Sequence, residues 1–515
     1  MRLQHLYKRV VWALLAGLLI AVVPLDAQDA TAFDCANAVG IPQAECEALV
    51  ALYDATNGDE WYYSQYSSNR WMDTNTPCAW AGITCDGGHV AVISLGYNSL
   101  MGALPSEIGQ LVHLQRLYLT HNQLTALPPE LGQLTSLEWF DLTHNQLTTL
   151  PPELGQLDNL YWLNLDYNGL TALPPEIGQL DNLYWLNLNY NGLTALPPEI
   201  GQLASLHSLL LEGNQLTTLP PEIGQLATLE FLGLWDNQLL VLPPEIGQLA
   251  DLQMLRLLSN QLTTVPPEIG QLVRLQTLEL GYNRLTVFPP EIAQLTNLTS
   301  LHLGNNQLTT VPPEIGQLIN LGTLLLSDNQ LTTLPPEIGQ LTRLERLELH
   351  DNQFTTLPSA IGQLTNLYTL TLGNNQLVTL PPVIGQLTNL QWLDLNNNQL
   401  IGLPLAIGQL TRLYWLDLSG NQFMALPPEI GRFTNLQSLF LGGNQLAVLP
   451  PEISLLVNLR ELSLSDNQLM TLPPEIGQLT NLQLLLLCGN PLTIDDPALA
   501  AFVRERDYDW ANGCP

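Results

Sequence analysis

Hydrophobic and polar positions along this chain recur with a fixed period. The stretch LPPEIGQLDNLYWLNLNYNGLTA, Leu173 to Ala195, is repeated with small edits over most of the sequence, and one Asn marks each copy. Asn98 to Asn122 is a step of 24 residues, and sixteen further steps of 23 lead to Asn490. The segment LxL, for example Leu186-Asn187-Leu188, alternates apolar and polar as a short parallel strand with one buried face should. After it the chain must turn, and an Asn amide, which both donates and accepts, can satisfy the backbone groups of that turn inside the stack. A column of eighteen such Asn is therefore structural rather than catalytic. In the return leg Pro-Pro-Glu-Ile-Gly, Pro suits a first helical turn, Glu the positive helix end and Gly the exit, which predicts one turn of helix or 3₁₀ on the outer side.

A period in this range carrying LxxLxLxxN resembles the leucine-rich repeat. The expected fold class is α/β: a solenoid, or horseshoe, of about eighteen rungs with a parallel concave β-sheet, short helical turns on the convex side and disulfide-bonded caps. At one strand spacing per rung the sheet would run roughly 80 to 90 Å along its arc. From Phe33 to about Gly88 the period is absent. There IPQAECEALVALYDATNGDEW reads as an amphipathic helix with Pro42 in its first turn, ending before Asn57-Gly58. The following PCAWAGITCDGGHV resembles the N-terminal cap of plant leucine-rich repeat receptors and their bacterial secreted relatives, on Cys78, Trp80, Gly82 and Cys85. The first repeat, NSLMGALPSEIGQL, keeps that plant-like form, with Gly102 and one extra residue. Later repeats are similar to those of Ras-scaffold and plant intracellular leucine-rich proteins. At the other end, Asp496 before Pro497 starts a helix, and the segment resembles the C-terminal caps of extracellular members.

The N-terminus has a basic start (Arg2, Lys8, Arg9), then an apolar run from Val10 to Val23, then small residues. Fourteen apolar residues are short for a bilayer span of roughly 20. A signal peptide over residues 1–27 is expected, cut between Ala27 and Ala32, with a cap over 28–88, repeats over 89–490 and a second cap over 491–515. The product is expected to be secreted, with no membrane span after signal removal. Six Cys fit that compartment. They permit several connectivities, and their grouping at the solenoid ends makes Cys35 with Cys46, Cys78 with Cys85 and Cys488 with Cys514 the working expectation.

Charge narrows the partner. A net −32, from 47 acids against 15 Lys and Arg, makes nucleic acid and anionic membranes poor candidates. Fourteen of those acids are the Glu of the return leg, read as a solvated column serving turn geometry and solubility. Phosphate-binding, zinc-protease, nucleophile-elbow and calcium-loop motifs are absent from the sequence, so no enzyme activity, cofactor or metal is expected. His121 and His144, on adjacent rungs, read as surface histidines.

The informative positions are the third, fifth and seventh of LxxLxLxxN, which share the outward face of the strand. The third reads Trp139, Trp162 and Trp185 on consecutive rungs, and again Trp392 and Trp415. Tyr118, Tyr161, Tyr184, Tyr167 and Tyr190 accompany the first run, with Asp141, Asn164, Asp166 and Asn187; Tyr368, Tyr414, Asp394 and Asp417 accompany the second. Exposed Trp columns beside carboxylates and carboxamides suit an extracellular protein or peptide ligand, neutral or cationic, with a glycan stacked on the rings as the alternative. Two plainer readings compete: strand neighbours stack for their own stability, and the segments 158–180 and 181–203 differ only at Asp166 and Asn189, as a recent duplication would leave them. The face carries eight acids against three bases, Arg116, Arg256 and Arg346.

Overall fold

The computed structural model describes residues 33–511. The expected signal peptide and Cys514 lie outside the described residues. Eighteen short parallel strands line up in one sheet, in register, so that the central apolar residue of each faces that of the next, as Leu163 faces Leu186. That central residue is buried while its two neighbours on most strands reach the surface, as in Trp162–Asn164, the pattern that alternation requires. Each return leg is a five-residue 3₁₀ turn, such as Pro175–Gln179.

The column Asn are wired as the amide chemistry demands. Asn283 Oδ1 accepts from Leu262 N–H at 3.0 Å, and its Nδ2 donates to Leu257 O at 2.8 Å and Leu280 O at 3.1 Å, so one side chain ties two rungs together. A second ladder that the sequence reading did not identify runs along the flank: Asn159, Asn182, Asn297 and their equivalents each donate to a carbonyl 24 residues earlier, as Asn159 does to Thr135 O at 2.7 Å. The residue before every column Asn is left-handed, from Tyr97 at φ 55° to Gly489 at φ 76°.

Two expectations for the return leg need correction. Its Gly is not a left-handed exit; it lies inside the 3₁₀ turn because the next rung's backbone passes close by. A Cβ on Gly132 would stand 2.6 Å from Glu153 O. The Glu column, read as solvated, is half-buried at all but Glu314; on most rungs the Glu backbone and Cβ lie over the Gly of the preceding rung, as those of Glu130 lie over Gly109.

The ends solve the edge problem differently. At the N-terminus, β1 (Ile83–Asp86) pairs antiparallel with β2 (His89–Ser94), the first rung, and covers its edge. Helix α1 (Gln43–Ala55) buries Ala48, Leu49 and Leu52, and Trp61, Trp71 and Trp80 pack ring to ring at 5.0 and 5.3 Å, all at most 4% exposed. Disulfides Cys35–Cys46 and Cys78–Cys85 close this cap. Where no earlier rung exists, Tyr63 N–H supplies the 2.7 Å bond to Asn98 Oδ1. The extra residue of the first period is absorbed in a short second parallel pair, Met101–Ala103 with Gln123–Ala126, whose register shifts at Gly102 (φ 87°). At the C-terminus, helix Pro497–Arg506 is capped by Asp496, and Asp507 (1% exposed) accepts from Leu487 N–H at 2.7 Å, closing the last rung. Cys488 is disulfide-bonded.

Candidate ligand-binding face

The in-register sheet places every residue of a repeat beside its equivalent about 4.8 Å away, so similar aromatic residues on successive rungs must stack. Trp139, Trp162 and Trp185 do so, with centroids 5.3 and 4.4 Å apart and the second pair within 4° of parallel. Immediately before the strand, Tyr161, Tyr184 and His207 form a second stack at 4.9 and 4.2 Å. At the left-handed position after it, Tyr97, His121, His144, Tyr167 and Tyr190 form a third, with spacings of 4.0 to 4.4 Å. Stacked faces are spent on each other. The Trp residues are half-buried rather than freely exposed, and the ladder turns ring edges, not faces, to the groove.

Between the Trp ladder and the Tyr-His ladder lies a polar floor. Asp141 accepts from Thr143 N–H at 2.9 Å and Thr143 O–H at 2.7 Å, and Tyr118 stands beside it in register. Asn164 and Asn187 accept from the amides of Asp166 and Asn189 at 3.2 and 2.9 Å; Asn187 is buried, so little of it is left to touch a ligand. Asp166 keeps one oxygen, Oδ1, buried and without a hydrogen-bond partner, and burial, with Asp141 and Glu212 adding, holds its carboxyl above the usual range. Burial lowers the His121 imidazole, and neighbouring His144 lowers it further. On the flank, Glu138, Trp139, Tyr161, Tyr184 and His207 line a cavity of about 650 Å³.

The second cluster lies nine rungs further on. Trp392 and Trp415 stack at 3.9 Å and 8°, with Tyr414 against one at 6.0 Å and Phe440 against the other at 5.6 Å. Asp394 accepts from Asn396 N–H at 3.0 Å, and Asp417 from Ser419 N–H at 2.8 Å and Ser419 O–H at 2.5 Å. Burial raises Asp394, with Asp417 adding. A cavity of about 490 Å³ joins Trp392 and Asp394 to Glu348 and His350. The sequence screen for metal motifs does not find Asp328, His350 and Asp351, whose ligand atoms lie within 4.8 Å of one another across two rungs, because their spacing follows the repeat rather than a local motif. His350 Nδ1 is 2.8 Å from Asp351, an ion-pair geometry that accounts for the grouping.

Two further face residues carry no candidate role in the sequence reading, which counts Glu212 only among the eight face acids and does not mention Trp235. Glu212 is 9% exposed, and Trp235 is the most exposed Trp among the described residues at 39%. Each occupies a seventh position, and the signal available was Gly233, which leaves the fifth position between them without a side chain. The whole arrangement consists of ring edges, imidazoles, carboxamides and carboxylates.

Comparison with known proteins agrees along most of the chain. The model "Leucine rich repeat N-terminal domain" matches residues 42–86. "Leucine rich repeat" matches 112–170, 296–354, 319–377 and 365–423, "Leucine-rich repeat region" matches 153–239, 171–262 and 244–324, and a two-copy form matches 434–476. The chain is similar to a solved leucine-rich repeat protein of Leptospira interrogans, 41% identical over 80% of this chain and 94% of that one, with a TM-score of 0.65. It is also similar to the plant peptide hormone receptor RGFR1 in complex with RGF2, 30% identical over 83% and 82%, TM-score 0.59. Receptor-like protein 3 of Arabidopsis thaliana is 38% identical over 72 residues, which are 13% of this chain and 10% of that protein, so the match spans about a tenth of the curated relative. No helix among the described residues is long and apolar enough to cross a membrane.

Proposed function

We propose a function from one premise: the chain belongs to the leucine-rich repeat family, and its sheet face is a non-enzymatic recognition surface for an extracellular protein or peptide. The observation that carries this reading is the trough between the Trp139–Trp162–Trp185 ladder and the Tyr-His ladder, floored by amides and carboxylates. Ring edges and amides favour an extended backbone with side chains, whereas a sugar ring needs an aromatic face, and along the ladders faces are stacked on one another. The plant receptor with its bound peptide hormone ligand, alike over 83% of this chain, supports the same class of partner. Secretion is part of the proposal and rests on the N-terminal sequence and the disulfides. Selection of a displayed random-peptide library on the purified chain tests it. Enriched peptides should lose at least about tenfold in affinity on Trp162→Ala, as loss of a central aromatic contact would cause. No enrichment over a blank support, or affinity indifferent to Trp162, would end the proposal.

A further inference from the structure

Two grooves run along the flank just before the strands, one beside each Trp cluster, and corresponding residues nine rungs apart build them. Glu138, Asn159, Tyr161 and Asn182 of the first correspond to Glu345, Asn366, Tyr368 and Asn389 of the second. The second groove, about 490 Å³, is lined by two arginines of the chain itself. Arg412 donates from Nη1 to Asn389 Oδ1 at 2.6 Å, and Arg343 in the same way to Asn320 Oδ1 at 2.8 Å. Arg274 repeats the arrangement elsewhere on the flank, with Nη1 2.7 Å from Asp251 Oδ1. In each case a guanidinium reaches back one rung to a side-chain oxygen of the flank ladder.

The first groove has the acceptors without the guanidinium. Ser205 stands where the second has Arg412, and Ser136 where it has Arg343. Asn182 is held by its Nδ2, which donates to Asp158 O at 2.7 Å, while its Oδ1 has no donor among the described residues. The groove measures about 650 Å³ and opens to solvent: Glu138, Asn159, Tyr161, Asn182 and Ala204 are all exposed. No Lys or Arg among the described residues lines it, so Glu138 is not offset as Glu345 is by Arg343 and Arg412. Trp139 borders both this groove and the trough on the sheet face, so a ligand in the trough can reach over it.

Resting on the recognition function proposed above, we infer that the first flank groove is a subsite for an arginine side chain of the ligand. Its guanidinium donates to Asn182 Oδ1 in the place that Arg412 holds on Asn389, filling the space over Ser205, and the Glu138 carboxylate favours its charge from the end of the groove. A guanidinium suits the site better than an ammonium because its planar fork of donors is less strongly hydrated, and it is the group the chain itself places on this flank.

Capped Gly-Arg-Gly and its citrulline twin, close in shape and differing in charge, provide the probes, with calorimetry and tryptophan fluorescence at low salt as readouts. The arginine peptide should bind the full chain at least about fivefold more tightly than the citrulline one, as one charge-assisted contact would give. That preference should vanish in Ser205→Arg, which supplies the guanidinium from the chain itself at a repeat position where Arg274, Arg343 and Arg412 already stand. It should persist in Thr263→Arg, which changes net charge equally at an exposed position beyond the Asn column. Glu138→Gln, an exposed change that leaves Asn182 in place, should reduce the preference at least about twofold. Equal binding of the two peptides overturns the subsite, as does a preference that survives Ser205→Arg or is lost equally in Thr263→Arg, which would assign it to net charge. If library peptides bind through Trp162 yet show no arginine preference and no loss in Ser205→Arg, the subsite falls and the recognition function stands; if no peptide binds at all, both fall.

Discussion

The two Trp clusters use the same residue types in the same repeat positions and are wired differently. Around Trp392 and Trp415, Tyr414 and Phe440 lie against the two indoles and both carboxylates hold the turn that follows their own strand, while the neutral hydroxyl of Thr371, beside Asp394 in register, is buried without a hydrogen-bond partner. Around Trp139, Trp162 and Trp185 the pieces do not close. The ladder ends on Ser208, and carboxylate oxygens of Asp166 and Glu212 remain without hydrogen bonds. Residue type alone therefore does not distinguish a binding face from a stabilising stack. The distinction lies in whether each polar atom and ring face already has a partner.

The largest expected effect concerns the frame beneath both clusters. Asn398 and Asn168 make equivalent bonds to the rungs around them, but Asn398 is 7% exposed, while Asn168 is half-exposed because Gly169 stands where other repeats place Gln. Asn398→Ala should cost about 3 kcal/mol or more, since buried carbonyls and an N–H lose their partner, and Asn168→Ala roughly half as much, since water can replace it. Urea unfolding followed by hydrogen exchange on each rung checks this, and equal losses would mean that burial of the Asn is immaterial.

Next come the Trp residues themselves. Trp162→Ala and Trp415→Ala should each lower stability by about 2 kcal/mol through lost half-buried packing. Only the first should weaken a selected peptide; a peptide that lost affinity equally on both would erase the comparison.

Removing a carboxylate should then act in opposite senses. Asp417→Ala strips the acceptor from Ser419 N–H and is expected to destabilise by about 1 kcal/mol. Asp166→Asn, by contrast, removes a charge that burial disfavours and is expected to stabilise slightly at neutral pH. Thermal melts of the two variants against the parent would separate them.

The smallest effect should be common to the two clusters. Burial raises both Asp166 and Asp394, so each binds its proton more tightly folded than unfolded. Each then contributes most to stability when protonated; the contribution declines as pH rises from the unfolded value through the folded one and stays lower above it. Asp166→Asn and Asp394→Asn should therefore raise the neutral-pH melting point by the equivalent of less than about 1 kcal/mol, and this advantage should shrink as pH falls through the folded pKa. An advantage independent of pH would mean that burial of the charge is not its cause.

Sequence periodicity carried the frame, because Leu and Asn recur at positions whose geometry one repeat imposes on the next. Strand direction, the Asn column and the 3₁₀ turns follow from that alone. The return-leg Gly was misassigned because its constraint comes from Glu in the following rung, a contact between residues about one period apart. On the face, the Trp positions were legible and their orientation was not. Stacking depends on what the adjacent rung presents, and so does the missing hydrogen bond at Oε1 of Glu212, which in sequence is one of eight acids on the face.

Hydrogen exchange of the full chain, with and without a selected peptide, tests the central claim most directly. Bound peptide should slow exchange in the strands Trp139–Asp141, Trp162–Asn164 and Trp185–Asn187 and leave Trp392–Asp394 and Trp415–Asp417 unchanged. Protection centred on the second cluster or on the return-leg turns, with the first trough unaffected, would contradict it.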